Sequence, residues 1–527
     1  MKEQLKPIIL LVVVFALFSI IFFGQSSNFL VDFSREITIP YQILQGQKIF
    51  KDIFLVYGFW GYFVNFILYK ICLNSNMLLY EANLISLFIV ILFYQILYKY
   101  SKNAKISLFF SFALIFCSIF SCATFSFVVP YSFSTLWAYF SLYLIVFSLL
   151  FYKDTLLYLA LGLLFVSKVE FFVFAFIFIL FYKIFKKESF SIKNLYILAF
   201  PAVFFIYFFL NHISLNDIQL NIHFLKLMAK AYSLSYFYKG MGVLFEIKYF
   251  IFNLKNFSLY LFVFGLTYLL YLKNKKVLFY IVTLLFFSLC NIVFVYNLGI
   301  FLLSILFFYL LFKKKITPQD TIIYAFSITM SIKSVFALNI FGYSNFSFVF
   351  VIFNIYFLLT KILEKKFLII HFSIFLVILG FLNVKCLFFE HKSKYIKNNS
   401  TIFLKTEDYE KFTNTDKFIE NTIKNDETIL VLPEGQIFNF INKKRWSAYN
   451  TTFTPLDFET FGDEYFIKNL KKEKTDYVIF YPRDTKDYKY KTICKDYGVD
   501  FCSYIADNYD MVKIIKENEV FIYKRKK

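Results

Sequence analysis

The chain has 527 residues, of which 59% are hydrophobic, 24% aromatic and 17% charged, with a mean hydropathy of +0.63. Soluble globular chains are typically about 45–50% apolar and 25% charged, so this composition excludes an ordinary soluble protein. The formal charge is +21, yet residues 1–387 hold 31 basic and 12 acidic residues while residues 388–527 hold 25 and 23. The surplus therefore lies in short clusters between apolar runs, which excludes a soluble nucleic-acid binder and points to a polytopic membrane protein.

The first apolar run, Pro7 to Leu30, follows Lys2 and Lys6 and lacks a small-x-small cleavage pattern, so it reads as a retained signal-anchor. Directly after it come Asp32, Arg35 and Glu36. If this stretch continues as a helical turn, the i,i+4 spacing sets both carboxylates on one face beside the arginine. Such a pair near a low-dielectric boundary can hold a divalent cation, or split its pKa values so that one member acts as a base. The plainer alternative is a solvated loop start. The stretch Pro40 to Tyr57 follows, with Gly46 permitting a turn and Asp52 preceding the aromatic segment Tyr57-Gly58-Phe59-Trp60-Gly61-Tyr62. Aromatic amphipathic helices of this kind commonly lie in the interface with no catalytic role.

Twelve further apolar runs lie near 77–98, 106–128, 131–152, 155–167, 170–185, 195–213, 256–272, 277–295, 297–312, 319–338, 346–363 and 367–387, giving thirteen spans. The segment 54–72 is also apolar. Reading it as a juxtamembrane helix, not a span, puts the lysine clusters at 99–105, 183–187, 273–276, 313–315 and 361–366 on the cytoplasmic side. That topology predicts a cytoplasmic N-terminus in the inner membrane, outer loops at 31–76 and 214–254, and an extracytoplasmic tail.

Two places with membrane-edge charges stand out within the spans, since each charge costs about 2.5–3.5 kcal/mol at a helix centre unless paired or hydrated. Lys168 and Glu170 sit at the break between two short helices, where a lysine suits a phosphate as a point charge. A self-neutralising pair is the alternative. Lys333 lies inside 319–338, just before a loop that includes Tyr343; a lone lysine can also simply snorkel to the interface.

The tail, residues 388–527, reads as a small α/β domain, with buried strands at 427–433, 476–481 and 520–524 and helices after Gly435 and over 465–472. No G-x-G-x-x-G follows its first strand, so nucleotide binding has little support there. Cys494 and Cys502 share this domain and can pair in an oxidising compartment. No Walker A, G-x-S-x-G or HExxH pattern is present.

An Asp just after the first span, the following REITIPYQILQGQKIFKDIFLVYG, a lysine in a short-helix pair and an outer C-terminal domain together resemble the GT-C glycosyltransferases. More narrowly, the chain resembles the bacterial dolichyl-phosphate-mannose–protein mannosyltransferase-like family, which includes the aminoarabinose transferases of lipid A. The resemblance implies an all-α membrane domain over 1–387 and transfer of a sugar from a polyprenyl-phosphate donor to an extracytoplasmic acceptor. It makes Asp32 the catalytic base or a metal ligand, and so leaves a divalent cation open as cofactor. Glu36 becomes the second acid, Lys168 the best phosphate ligand, and Lys333 or Arg35 weaker ones; Asp52, Tyr57, Glu170 and Tyr343 complete the expected substrate-binding set. Two departures mark this chain: Asp32-Phe33 replaces the family's Asp-Glu, and Gly58-Phe59-Trp60 replaces its Pro-Pro-Leu. A flippase or transporter for lipid-linked glycans, a glycan polymerase or ligase, and an anchored receptor module are the competing classes; transporters usually show inverted repeats, and no such symmetry is visible.

Overall fold

The computed structural model describes residues 2–25, 29–121, 126–130, 132–188, 191–231, 247–289, 293–336, 344–389, 392–483, 485, 490–515 and 519–526. Helix α1 (Lys2–Ile21) leads to α2 (Asp32–Leu44) and α3 (Phe59–Ile71), then to the long α4 (Asn76–Ser101). There follow α5 (Ala104–Leu114, extended by a π-helical turn Ile115–Ile119), α6 (Phe133–Phe151), α7 (Asp154–Ser167), α8 (Val169–Phe185) and α9 (Ala199–Leu210, entered through a 3₁₀ turn Ile192–Leu198). Next are α10 (Leu215–Ala231), α11 (Ile247–Leu272), α12 (Lys276–Leu289), α13 (Val293–Phe312), α14 (Pro318–Phe336), α15 (Ser344–Leu359) and α16 (Lys365–Phe389).

Among the described residues, five helical stretches are long and apolar enough to cross a membrane: Gln4–Ile21, Asn76–Ser101, Phe133–Phe151, Ile192–Leu210 and Lys365–Phe389. Shorter apolar helices accompany them. Their outward faces keep large apolar side chains such as Ile20, Phe181, Phe209, Phe262 and Phe312 exposed, the surface expected of helices solvated by lipid. Helix α3, at 13 residues, rises only about 20 Å and is too short to span.

The tail opens with a hairpin of β1 (Lys392–Lys397) and β2 (Ser400–Lys405). Its two-residue turn is Asn398-Asn399, both at positive φ (50° and 63°), the conformation a tight hairpin requires and asparagine tolerates. Helix α17 (Thr406–Thr422), β3 (Ile429–Leu432), α18 (Ile437–Ile441), α19 (Pro455–Phe461), α20 (Asp463–Glu473), β4 (Tyr477–Phe480), α21 (Val499–Asn508), β5 (Tyr509–Ile515) and β6 (Val520–Arg525) complete it. The four-stranded sheet runs β3-β4-β6-β5, with β3 and β4 parallel and the other neighbours antiparallel. Cys494 and Cys502 are disulfide-bonded.

The three anticipated strands are β3, β4 and β6, and the anticipated helices are α18 and α20. Strand β5 escaped sequence reading because it is an edge strand, buried at its two ends only. The first helix ends at Ile21, not near Leu30. The chain bends at Gly24 (φ +69°), where a Cβ would lie 2.2 Å from the Phe403 ring of β2. Within the loop 214–254 the structure contains α10 and the start of α11, because a helix propagates through backbone hydrogen bonds beyond its apolar window.

The C-terminal α/β domain is fastened onto α2 and α3. Thr38 Oγ1 donates to the Gln436 carbonyl (3.0 Å), and the Ile437 N–H donates to Ser34 Oγ (2.6 Å). Phe440 meets Tyr41 and stacks on Tyr69. Helix α10 closes the seam. Asn221, fully buried, accepts from the Leu55 N–H (2.9 Å) and donates to the Leu55 carbonyl (3.1 Å), while Phe224 packs between Phe54 and Phe461. Asn221→Ala strands both Leu55 groups in a dry interior. It is expected to cost about 2–4 kcal/mol, read as a lowered unfolding temperature in detergent against Asn221→Asp and wild type.

Candidate active site

Helix α2 carries the charged residues, and every residue from Phe33 to Ile43 is buried. Asp32 opens its first turn, where a carboxylate is favoured by the helix dipole. At 100° per residue, Asp32 and Glu36 share one side with Arg35 at its edge, while Ser34 and Thr38 lie opposite the two acids. The C-terminal α/β domain holds the second side through the two hydrogen bonds above, and the first is turned toward α3, α6 and the α7–α8 break.

Both oxygens of Glu36 are engaged: Tyr62 Oη donates to Oε1 (2.8 Å) and the Phe133 N–H donates to Oε2 (2.9 Å). Burial pushes this carboxyl above its ordinary range, and Arg35, the Phe133 amide, Tyr62 and Lys168 oppose that shift. Lys168 reaches the same place from the other side. It occupies the break between α7 and α8 in an extended conformation (φ −152°, ψ 102°), is 5% exposed, and lies 3.9 Å from Glu170 Oε1. Tyr57 joins the two cations: the Arg35 guanidinium is 4.9 Å and Lys168 Nζ 4.7 Å from its ring centroid.

Gly58 explains how this segment comes so close. A Cβ there would lie 1.7 Å from the Ser167 carbonyl oxygen, so only glycine lets Tyr57 lie over the Ser167-Lys168 break. Ser134 Oγ holds the Gly58 carbonyl at 2.5 Å.

Of the residues singled out from the sequence, Arg35, Glu36, Tyr57, Lys168 and Glu170 therefore converge, with half-buried Asp32 one turn from Glu36. Asp52 stands apart. Its carboxylate accepts from the Lys48 N–H (2.9 Å) to close the 48–52 turn, and it lies within electrostatic reach of Tyr207 and Tyr449. Lys333 sits on α14 three residues beyond Met330, whose carbonyl accepts from Tyr139 Oη; its side chain, and Tyr343 entirely, lie outside the described residues.

Among the described residues no three His, Cys, Asp or Glu side chains gather as metal ligands, and both Glu36 oxygens already have partners.

Sequence reading missed Tyr62, Trp137 and Glu81. Glu81, on α4, accepts from Trp137 Nε1 (2.9 Å). A lone acid in the apolar run 77–98 was a legible signal, since acids inside spans are costly and generally functional. No protein-family model matches the chain, and no curated protein matches it.

The folded Glu36 carboxyl binds its proton more tightly than in the unfolded chain. Its contribution to stability therefore falls as pH rises from the ordinary value of 4.5. Glu36→Gln is expected to flatten that decline, measured by thermal unfolding in detergent between pH 4 and 8, while Glu36→Ala is expected to lose about 1–3 kcal/mol by orphaning the Phe133 N–H.

Proposed function

We propose that the chain is a membrane glycosyltransferase that moves a sugar from a polyprenyl-phosphate donor to an extracytoplasmic acceptor. The observation that carries this reading is the convergence of Arg35 and Lys168 on the Tyr57 ring, beside the acidic side of α2 and between apolar helices. Two cations with a neighbouring carboxylate pair suit a lipid-linked phosphate and a hydroxyl nucleophile. The resemblance to the GT-C glycosyltransferases leads to the same chemistry independently of this geometry.

In this mechanism Asp32 takes the proton of the acceptor hydroxyl, whose oxygen attacks the sugar's anomeric carbon. The bond from that carbon to the phosphate oxygen breaks, and the electron pair leaves with the polyprenyl phosphate. Arg35 and Lys168 stabilise the charge that develops on the departing phosphate. Glu36, fixed by Tyr62 and Phe133, sets the position of α2 and the local field. A single displacement inverts the anomeric configuration. An apolar groove of about 550 Å³, lined by Val14, Phe18, Phe112, Phe116 and Phe381 among others, offers room for a hydrocarbon chain between α1, α5 and α16.

The matching topology has α1, α4–α9 and α11–α16 crossing the inner membrane and the N-terminus in the cytoplasm. The α/β domain, α2, α3 and α10 then lie outside, where the Cys494–Cys502 disulfide is chemically at home.

The test is transfer of a labelled sugar from polyprenyl-phosphate donors by protein reconstituted in vesicles. Asp32→Asn is expected to lower turnover by roughly 10²–10⁴-fold with donor binding intact. Lys168→Met should instead weaken donor binding by about 10-fold or more. Full activity in Asp32→Asn would overturn the assignment of the base; donor-independent movement of an intact glycolipid would favour a transporter.

A further inference from the structure

Beyond the phosphate-facing cations, the same site continues into a second polar patch between α3, α4 and α6. Helix α3 presents Tyr62, Asn65 and Tyr69 in one buried stripe, spaced three and four residues apart. Tyr62 is the residue bonded to Glu36. One turn further, Asn65 is 0% exposed, and neither its amide nitrogen nor its amide oxygen has a hydrogen-bond partner. One turn beyond that, the buried Tyr69 hydroxyl also lacks one.

Glu81 faces this stripe from α4. It lies within electrostatic reach of both Glu36 and Tyr69, and α3 and α4 pack against each other. Trp137 Nε1 holds its Oε1, leaving the buried Oε2 without a hydrogen-bond partner. Trp60, edge-on to Trp137 at 6.1 Å, adds a buried indole N–H with no acceptor.

Buried polar atoms are rarely left unmatched, because each costs the desolvation of the group. Here the unmatched atoms cluster on neighbouring helices, and their chemistry is mixed. A carboxylate oxygen and an amide oxygen accept, an amide and an indole donate, and a phenol does both. Hydroxyl groups, each both donor and acceptor, match such a set. A phosphate does not, since it would meet the Glu81 carboxylate. The flanking indoles add apolar surface of the kind a sugar ring's C–H face covers.

We propose that Glu81, with Asn65 and Tyr69, forms a hydroxyl-reading subsite that recognises the sugar of the donor and so determines which sugar is transferred. This rests on the glycosyltransferase reading and adds a specificity-determining residue outside the cation pair. Because Glu81 reads hydroxyls and the cations read phosphate, substitutions in the two places are expected to separate.

The experiment measures binding of bare polyprenyl phosphate, and of a panel of polyprenyl-phosphoryl hexoses and pentoses, to the full chain in nanodiscs. Wild type is expected to bind at least one glycosylated lipid more tightly than the bare lipid. Glu81→Gln should remove most of that increment, roughly 10-fold or more, with bare-lipid affinity unchanged. Tyr69→Phe, the milder variant should Glu81→Gln fail to fold, is expected to remove part of it. Equal losses for bare and glycosylated lipid, no loss in either variant, or a wild type that does not distinguish the two lipids would overturn the subsite while leaving the phosphate site standing. A wild type that binds no lipid phosphate at all would overturn the glycosyltransferase reading and the subsite with it.

Discussion

Burial of the Glu36 carboxylate is the constraint around which the other parts are arranged. A charge removed from water in this way is tolerated only when its lone pairs are matched and opposite charge stands near. Tyr62 comes from α3, the Phe133 N–H from the start of α6, Arg35 from α2 itself and Lys168 from the α7–α8 break. Satisfying one carboxyl thus fixes four segments relative to one another. Glu36 and Phe133, 97 residues apart, meet at this carboxyl.

The second consequence concerns the C-terminal α/β domain. Its hydrogen bonds to Ser34 and Thr38 grip the side of α2 opposite Asp32 and Glu36. Holding one side of a 13-residue helix sets the rotation of the other, so the domain helps to orient the acidic side. Phe440, placed against both Tyr41 and Tyr69, extends that grip to α3. The α/β domain is therefore part of the scaffold that aims the charged residues.

Much of the candidate site was legible in the sequence because membrane-edge charges are scarce and expensive. Asp32, Arg35, Glu36, Lys168 and Glu170 stand out against apolar runs for that reason alone, and the i,i+4 spacing of the two acids needed only a helix to become one side of α2. Tyr57 and Gly58 were visible as an aromatic segment, but their use was not. A tyrosine ring shared by two cations, and a glycine pressed onto the Ser167 carbonyl, follow from chain crossings that no local pattern records. Asp52 shows the reverse case: an acid in a promising stretch whose carboxylate is used by the Lys48 N–H to close its own turn.

By itself the sequence determined the apolar helices, the break at Lys168, the central strands and the presence of isolated charges. Each of these depends on the free energy of moving short stretches between water and an apolar phase, a property of composition and period. Tertiary structure alone decided which charges meet, that Glu81 joins them, and that α2 is turned by a domain some 400 residues further along the chain. Those outcomes depend on long-range packing and on pairing buried polar atoms, which are properties of the whole assembly of helices and of no segment in isolation.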